Sequence, residues 1–294
     1  MLRLGAVSYL NTKPLIEALP EWIAGAGNGV EKADVDPRAG DAETERWSLR
    51  LDLPSRLAAD LAAGRLDVAL IPSIEYFRGD PGYQIVSDAA IACRGPVWSV
   101  RLLSRVPADQ IGTLALDEGS RTSAAMVQVL LSEIHGLRPQ TVPFPIDTAV
   151  ERCDADAVLM IGDRAMHPSR GVYSEIWDLG DRWCRWTELP FVFAMWVARP
   201  EVAGNAELME RLSTVLGRAR DVGVRRFEAI ASRESGGQGL TKEDLHRYFA
   251  ENLHFTLGAG ERNGLAAFEE KARRLGLVPG PSGAGQDRFV SVSV

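Results

Sequence analysis

Four polar residues in a row, Ser120-Arg121-Thr122-Ser123, stand directly after Gly119 and directly before the apolar positions Ala124, Val127, Leu130 and Leu131. Apolar residues at that spacing make one face of a helix, so the hydroxyls and free backbone N–H groups of its first turn form a cradle for a carboxylate. The same residues also serve plain N-capping by Ser120 or Thr122, and the two uses are compatible because a capped helix end keeps further amides free. Four more positions invite chemistry. Asn11 stands where a first strand hands over to a helix, and its amide either offers a donor and an acceptor to a ligand or caps the helix that begins near Pro14. Ser99, among Val97, Trp98 and Val100, either faces a cleft or bonds local backbone. Ser73 closes a strand, as a cleft residue or a turn serine; Asp163 follows Ile161-Gly162, either holding Arg121 or a helix terminus in place or acting as an ordinary surface or capping aspartate.

Other chemistries find no foothold. The four histidines, His135, His167, His246 and His254, form no constellation; each reads as structural or solvent-exposed. Cys93, Cys153 and Cys184 are far apart with no CxxC pair, so no zinc site or disulfide framework is expected and a reducing compartment fits. A net charge of −7 without a basic cluster argues against a nucleic-acid partner. The chain starts on a strand-like run, without the basic region, long apolar stretch and cleavage site of a signal peptide, and holds no apolar run of membrane-spanning length. A cytoplasmic protein with no membrane partner is the expectation. The sequence sets no oligomeric state.

The elements that must carry these residues alternate between short apolar runs and amphipathic segments, the pattern of an α/β architecture with helices over a mostly parallel sheet. Strands are expected over 2–9, 47–53, 66–71, 111–117 and 157–161, with helices from Pro14 to a stop at Pro20, from Pro54 to a stop at Gly64, and over 122–135. A polar stretch fills 34–45. Two extended apolar segments, 93–105 and 191–199, bracket the middle unit as crossovers between lobes, and Trp183 and Trp186 read as hinge or core packing. The tail is helical over 206–222, 224–233, 241–253 and 261–275, with Thr241 and Asp244 spaced as a capping box. It should pack back on the first lobe. This gives residues 1–95 plus 198–280 as the first lobe, 96–197 as an inserted second lobe, and 281–294 as a flexible end. The architecture is a two-lobed clamshell like the type II periplasmic binding proteins, with its ligand between the lobes.

Five blocks then carry a specific resemblance: Ser8-Tyr9-Leu10-Asn11-Thr12-Lys13-Pro14-Leu15, Asp67 to Tyr76 (DVALIPSIEY), Gly95-Pro96-Val97-Trp98-Ser99-Val100, Ser120-Arg121-Thr122-Ser123 and Ile161-Gly162-Asp163. In this order they resemble the successive signatures of the chorismate dehydratase family, which opens the futalosine route to menaquinone. The resemblance implies loss of water from chorismate to give 3-[(1-carboxyvinyl)oxy]benzoate, with no cofactor and no metal. It favours Asn11 and Ser99 as catalytic residues, and Ser8, Ser73, Ser120, Arg121, Thr122, Ser123 and Asp163 as substrate contacts. The matched motifs hold no histidine and no obvious carboxylate at the strand ends, so the side-chain carboxylate of chorismate itself is the expected base. Three rivals are a small-carboxylate receptor of transport type, the related 1,4-dihydroxy-6-naphthoate synthase, which would present a histidine base, and a cytosolic ligand-sensing regulator, for which no DNA-binding element is seen.

Overall fold

The computed structural model describes residues 1–24, 47–167 and 171–280. In chain order the elements are β1 (Leu2–Val7), α1 (Lys13–Ile16), α2 (Leu19–Ala24), β2 (Trp47–Asp52), α3 (Pro54–Ala62), β3 (Val68–Pro72), α4 (Ser73–Arg78), β4 (Gln84–Cys93), β5 (Val100–Ser104), β6 (Thr113–Asp117), α5 (Thr122–His135) and β7 (Gln140–Phe144). There follow β8 (Ala157–Ile161), β9 (Glu175–Asp178), α6 (Leu179–Thr187), β10 (Phe191–Ala198), α7 (Pro200–Ala203), α8 (Ala206–Arg225), α9 (Phe227–Glu234), α10 (Lys242–Arg247), β11 (His254–Thr256) and α11 (Ala259–Arg274). The polar stretch 34–45 and the end 281–294 lie outside the described residues. Among the described residues no helix is long and apolar enough to cross a membrane.

The strands form two sheets, one of six strands in the order β11-β4-β10-β3-β1-β2 and one of five in the order β7-β6-β8-β5-β9. The expected mostly parallel sheet is corrected in both. β1 runs parallel to β2 and β3, and β6 parallel to β7 and β8, but β10 is antiparallel to β3 and β4, and β5 is antiparallel to β8 and β9. The cause is the connection: a strand entering a sheet from the other lobe runs against the βαβ strands already there. β10 is also buried along its whole length inside the six-stranded sheet. The run Phe191–Ala198 is therefore a core strand, and the chain returns to the first sheet before Phe191, ahead of the 197/198 boundary read from the sequence. The outward crossing lies between Cys93 and Val100.

Local chemistry accounts for the remaining departures. Pro20 does not end a helix; it is the second residue of α2, where its missing N–H costs nothing. The helix expected over 241–253 starts with the predicted Thr241–Asp244 capping box, but changes at Tyr248 to a π-turn over Tyr248–Asn252. The tail packs on both halves. α8 lies on β4 and crosses α1 so closely that a Cβ at Gly223 would stand 1.8 Å from the Pro14 carbonyl oxygen. α11 instead spans the junction, contacting β10 and α4 on one side and α5 on the other. Its Phe268 meets the rings of Trp183 and Phe191 edge-on, so Trp183 is core at the return crossing. Each such fully buried large side chain contributes roughly 1.5–3 kcal/mol relative to exposure.

Candidate functional site

The parallel strands β1, β3, β6 and β8 all direct their carboxyl ends to the junction between the sheets, the place where open α/β sheets leave a crevice. An open cleft lies there, in the kind of place where α/β folds hold small molecules. Val7 and Pro72 end their strands in it from the first sheet, Ile161 and Gly162 from the second, and Phe193 and Ala194 of β10 form part of its wall. Its polar lining consists of Tyr9, Asn11, Ser99, Ser120, Arg121, Thr122 and Ser123. No histidine and no carboxylate lines it among the described residues.

The amino end of α5 is built as the sequence implied, with one division of labour that it did not imply. Ser120, the residue before the N-cap Arg121, accepts at Oγ from Ala124 N (3.1 Å) and so satisfies one amide of the first turn, while its hydroxyl proton has no acceptor among the described residues. Thr122 is committed to the protein: its Oγ1 donates to Phe193 O (3.1 Å), accepts from Ile74 N (3.3 Å) and lies 3.3 Å from Ser73 Oγ. Ser73 Oγ donates to Val192 O (2.8 Å) and does not line the cleft. These two hydroxyls stitch α5 to the first sheet. Arg121 is exposed, with no ion pair among the described residues, and brings an uncommitted cation to the cleft.

Beneath this turn lies Asp117, the buried last residue of β6, which the sequence reading passed over. It accepts from Gly119 N (2.9 Å), from Ile161 N (3.2 Å) and from the Arg164 guanidinium. One carboxylate thus fixes the ends of β6 and β8 together with the turn that carries Ser120. Opposite it, Tyr9 packs against glycines of the second half. A Cβ at Gly162, which sits at φ +70, would come 3.2 Å from the Tyr9 ring, and one at Gly119 would come 2.8 Å from its hydroxyl. Burial, with Asp117 and Asp163 adding to it, pushes the Tyr9 phenol up to about 12, so it stays a neutral hydroxyl.

Asn11 lies in the turn Leu10–Thr12 between β1 and α1. Its Oδ1 accepts from Thr12 Oγ1 (3.2 Å), and its Nδ2 has no hydrogen-bond partner among the described residues. The cap is not its use: α1 has Thr12 before it and no side-chain cap hydrogen bond. Asp163 binds the same turn from the second half, its Oδ1 accepting from Leu10 N (3.2 Å). It holds a helix terminus and not Arg121, and it stands behind Gly162, outside the cleft lining. Burial raises its carboxyl to about 6, against the opposing pull of the Leu10 N–H and Lys13. Ser8 is exposed and likewise outside the lining; its backbone N–H donates to Asp52 O (3.1 Å).

Ser99 comes to the cleft on a forced turn. Trp98 before it has φ 64, a left-handed conformation that costs a large L-residue roughly 1–2 kcal/mol. Asp178 holds the turn, accepting from Val97 N (2.9 Å), Trp98 N (2.6 Å) and the first turn of α6 at Asp181 N (3.1 Å). Its carboxyl is nonetheless pushed up by burial. Behind Ser99 stands Tyr248 of the helical tail, its Oη 2.8 Å from Ser99 Oγ. The sequence carries no local signal for Asp178 or Tyr248, because their partners are 80 and 149 residues away. Tyr9 and Asp117 do carry one, standing within or beside polar residues at strand ends.

Among the described residues, a small anion in this cleft meets one cation without an ion pair, the amino end of α5, an amide Nδ2 without a partner and serine hydroxyls. The site can bind and orient carboxylates and hydroxyls, and among the described residues its lining offers no carboxylate or imidazole base to remove a proton from carbon. Comparison with known proteins bears on what that ligand is. The family model described as "Menaquinone biosynthesis" matches residues 2–274. A chorismate dehydratase from Thermus thermophilus is 30% identical over 92% of this chain and 98% of its own. Among solved structures, protein AF1704 from Archaeoglobus fulgidus superposes with a TM-score of 0.72 at 16% identity, over 94% of this chain and 98% of the other. The periplasmic aliphatic sulphonate binding protein SsuA from Escherichia coli gives 0.59 at 16% identity, over 95% and 88%. These two likenesses show the fold: a two-lobed, periplasmic-binding-protein-like clamshell with a helical C-terminal tail.

Proposed function

This chain belongs to the menaquinone-biosynthesis family, and from that premise we propose that it is a chorismate dehydratase, removing water from chorismate to give 3-[(1-carboxyvinyl)oxy]benzoate. The observation that carries the reading is the lining of the cleft: donors and one cation suited to a dicarboxylate, and no histidine or carboxylate beside them among the described residues. Dehydration of chorismate tolerates that poverty. The C3 proton and the C4 hydroxyl depart together as water, and the ring becomes aromatic, so the reaction is strongly downhill. The protein has to hold the substrate and place the departing groups.

In this reading Arg121 and the amino end of α5, with Ser120 and Ser123, hold one carboxylate. The side-chain carboxylate of chorismate takes the C3 proton, while Asn11 Nδ2 and the Ser99 hydroxyl orient that carboxylate and the leaving hydroxyl. The enolpyruvyl ether stays attached. Ser73 and Asp163 act from behind, and Thr122 from within the lining, stitching the two halves around the bound substrate, and Ser8 has no part that the geometry supports. The enzyme works in the cytoplasm on a small molecule. A 1,4-dihydroxy-6-naphthoate synthase would need a histidine in this cleft, and a transport receptor is argued by fold alone, which does not fix function. The test is a pair of variants, Asn11→Ala and Ser99→Ala, assayed for turnover and, by calorimetry, for chorismate binding. Loss of one oriented transition-state contact costs on the order of 10²-fold in turnover with binding retained. Normal turnover in both variants would sink the role assignment.

A further inference from the structure

The helical tail reaches the cleft through one hydrogen bond. Tyr248, first residue of the π-turn that interrupts the helix after α10, lies 2.8 Å from Ser99 Oγ, with both residues buried. π-turns insert a residue into a helix and re-aim the side chains after it, and they concentrate at functional sites. Tyr248 Oη donates and Ser99 Oγ accepts, and burial keeps the phenol protonated, above its usual range. Among the described residues the proton on Ser99 then has one protein acceptor within reach, Val97 O at 3.4 Å, the weak end of the hydrogen-bond range. An oxygen of a ligand in the cleft is the better partner. The Trp98 ring packs edge-on against Tyr248 at 5.8 Å, so the strained turn and the phenol brace one another.

We propose that Tyr248 is a positioning residue of the reaction: by donating to Ser99 Oγ it fixes the serine hydroxyl so that its proton points into the cleft. The inference rests on the role of Ser99 given above and extends it to the helical tail, which thereby becomes part of the active site. A hydroxyl that has lost this donor rotates freely. Tyr248→Phe should lower kcat about tenfold, the worth of one buried hydrogen bond, and leave KM within about twofold because no substrate contact is removed.

The experiment is a double-mutant cycle on chorismate turnover with wild type, Y248F, S99A and the double variant. Circular dichroism first fixes a temperature at which all four are folded, and the cycle is run there. If Tyr248 acts through Ser99, the double variant is no slower than S99A alone. A wild-type kcat in Y248F, or losses that multiply in the double variant, would overturn the proposal. A loss that appears in KM instead of kcat would overturn it too, by showing that the phenol serves binding or general structure. S99A with wild-type turnover refutes the role of Ser99 itself, whereas an impaired S99A beside an unimpaired Y248F refutes only the role of Tyr248.

Discussion

Asp163→Asn should make the protein more stable at neutral pH and leave it unchanged in acid. The carboxyl of Asp163 is raised by burial from 3.8 to about 6, while its Oδ1 accepts from Leu10 N across the junction of the two halves. Its folded-state value lies above its unfolded one, so between about pH 4 and 6 the folded protein binds a proton that the unfolded chain has released. Stability therefore falls as the pH rises through this window, and above it the full cost of burying the charge is present. A shift of about two units corresponds to roughly 3 kcal/mol; allowing for residual solvent exposure, about 2 kcal/mol is expected. Asparagine keeps an acceptor for Leu10 N and carries no charge. At pH 8 the melting temperature of D163N should exceed wild type by on the order of 5 °C, and the two curves should converge below about pH 4. Thermal melts by circular dichroism at half-unit steps of pH measure this. A variant less stable than wild type at pH 8, or an offset that ignores pH, would show that the ionised carboxylate is a net stabilising partner and refute the reasoning.

Two other substitutions probe binding and packing. Arg121→Ala removes the exposed cation of the cleft, which has no ion pair among the described residues; chorismate affinity by calorimetry should weaken about three- to tenfold, and the gap to wild type should narrow in high salt. An unchanged affinity at low salt would place the carboxylate elsewhere. Gly223→Ala would drive a Cβ to 1.8 Å from the Pro14 carbonyl oxygen, a backbone atom that cannot swing aside. It should lower the unfolding free energy in urea by about 3 kcal/mol, and an unchanged midpoint would contradict the close crossing of α8 on α1.

Much of the scaffold was legible because local patterns and tertiary structure agreed. β8 is apolar at every position and buried at every position, and α5 runs from Thr122 to His135 as its periodicity implies, ending on left-handed Gly136. The Thr241–Asp244 box appears as spaced. Elements set by context were not legible. β7 carries Pro143 and is mostly exposed, β9 has four residues, and α6, with two arginines among nine residues, owes its place to Trp183 at the core and Asp178 at its cap. The direction of β10 could not be read from its composition, since an apolar run looks the same either way along a sheet. At the site, the cradle before α5 and the residues Asn11 and Ser99 stood out through polar type at strand ends. Thr122, Ser73 and Asp163 stood out for the same reason; each also bonds the protein to itself, and of the three Thr122 lines the cleft. Polar type marks the junction; only the partners tell a ligand contact from a stitch. Tyr248 was silent because its meaning depends on a π-turn and on a serine 149 residues away.

The central claim is tested most directly by incubating the purified protein with chorismate, without added cofactor or metal, and resolving the products by chromatography and mass. The account predicts a product lighter than chorismate by one water that still carries the enolpyruvyl group. Chorismate recovered unchanged beside tight binding would contradict it in favour of a receptor, and unchanged chorismate with no binding would contradict it in favour of a different substrate.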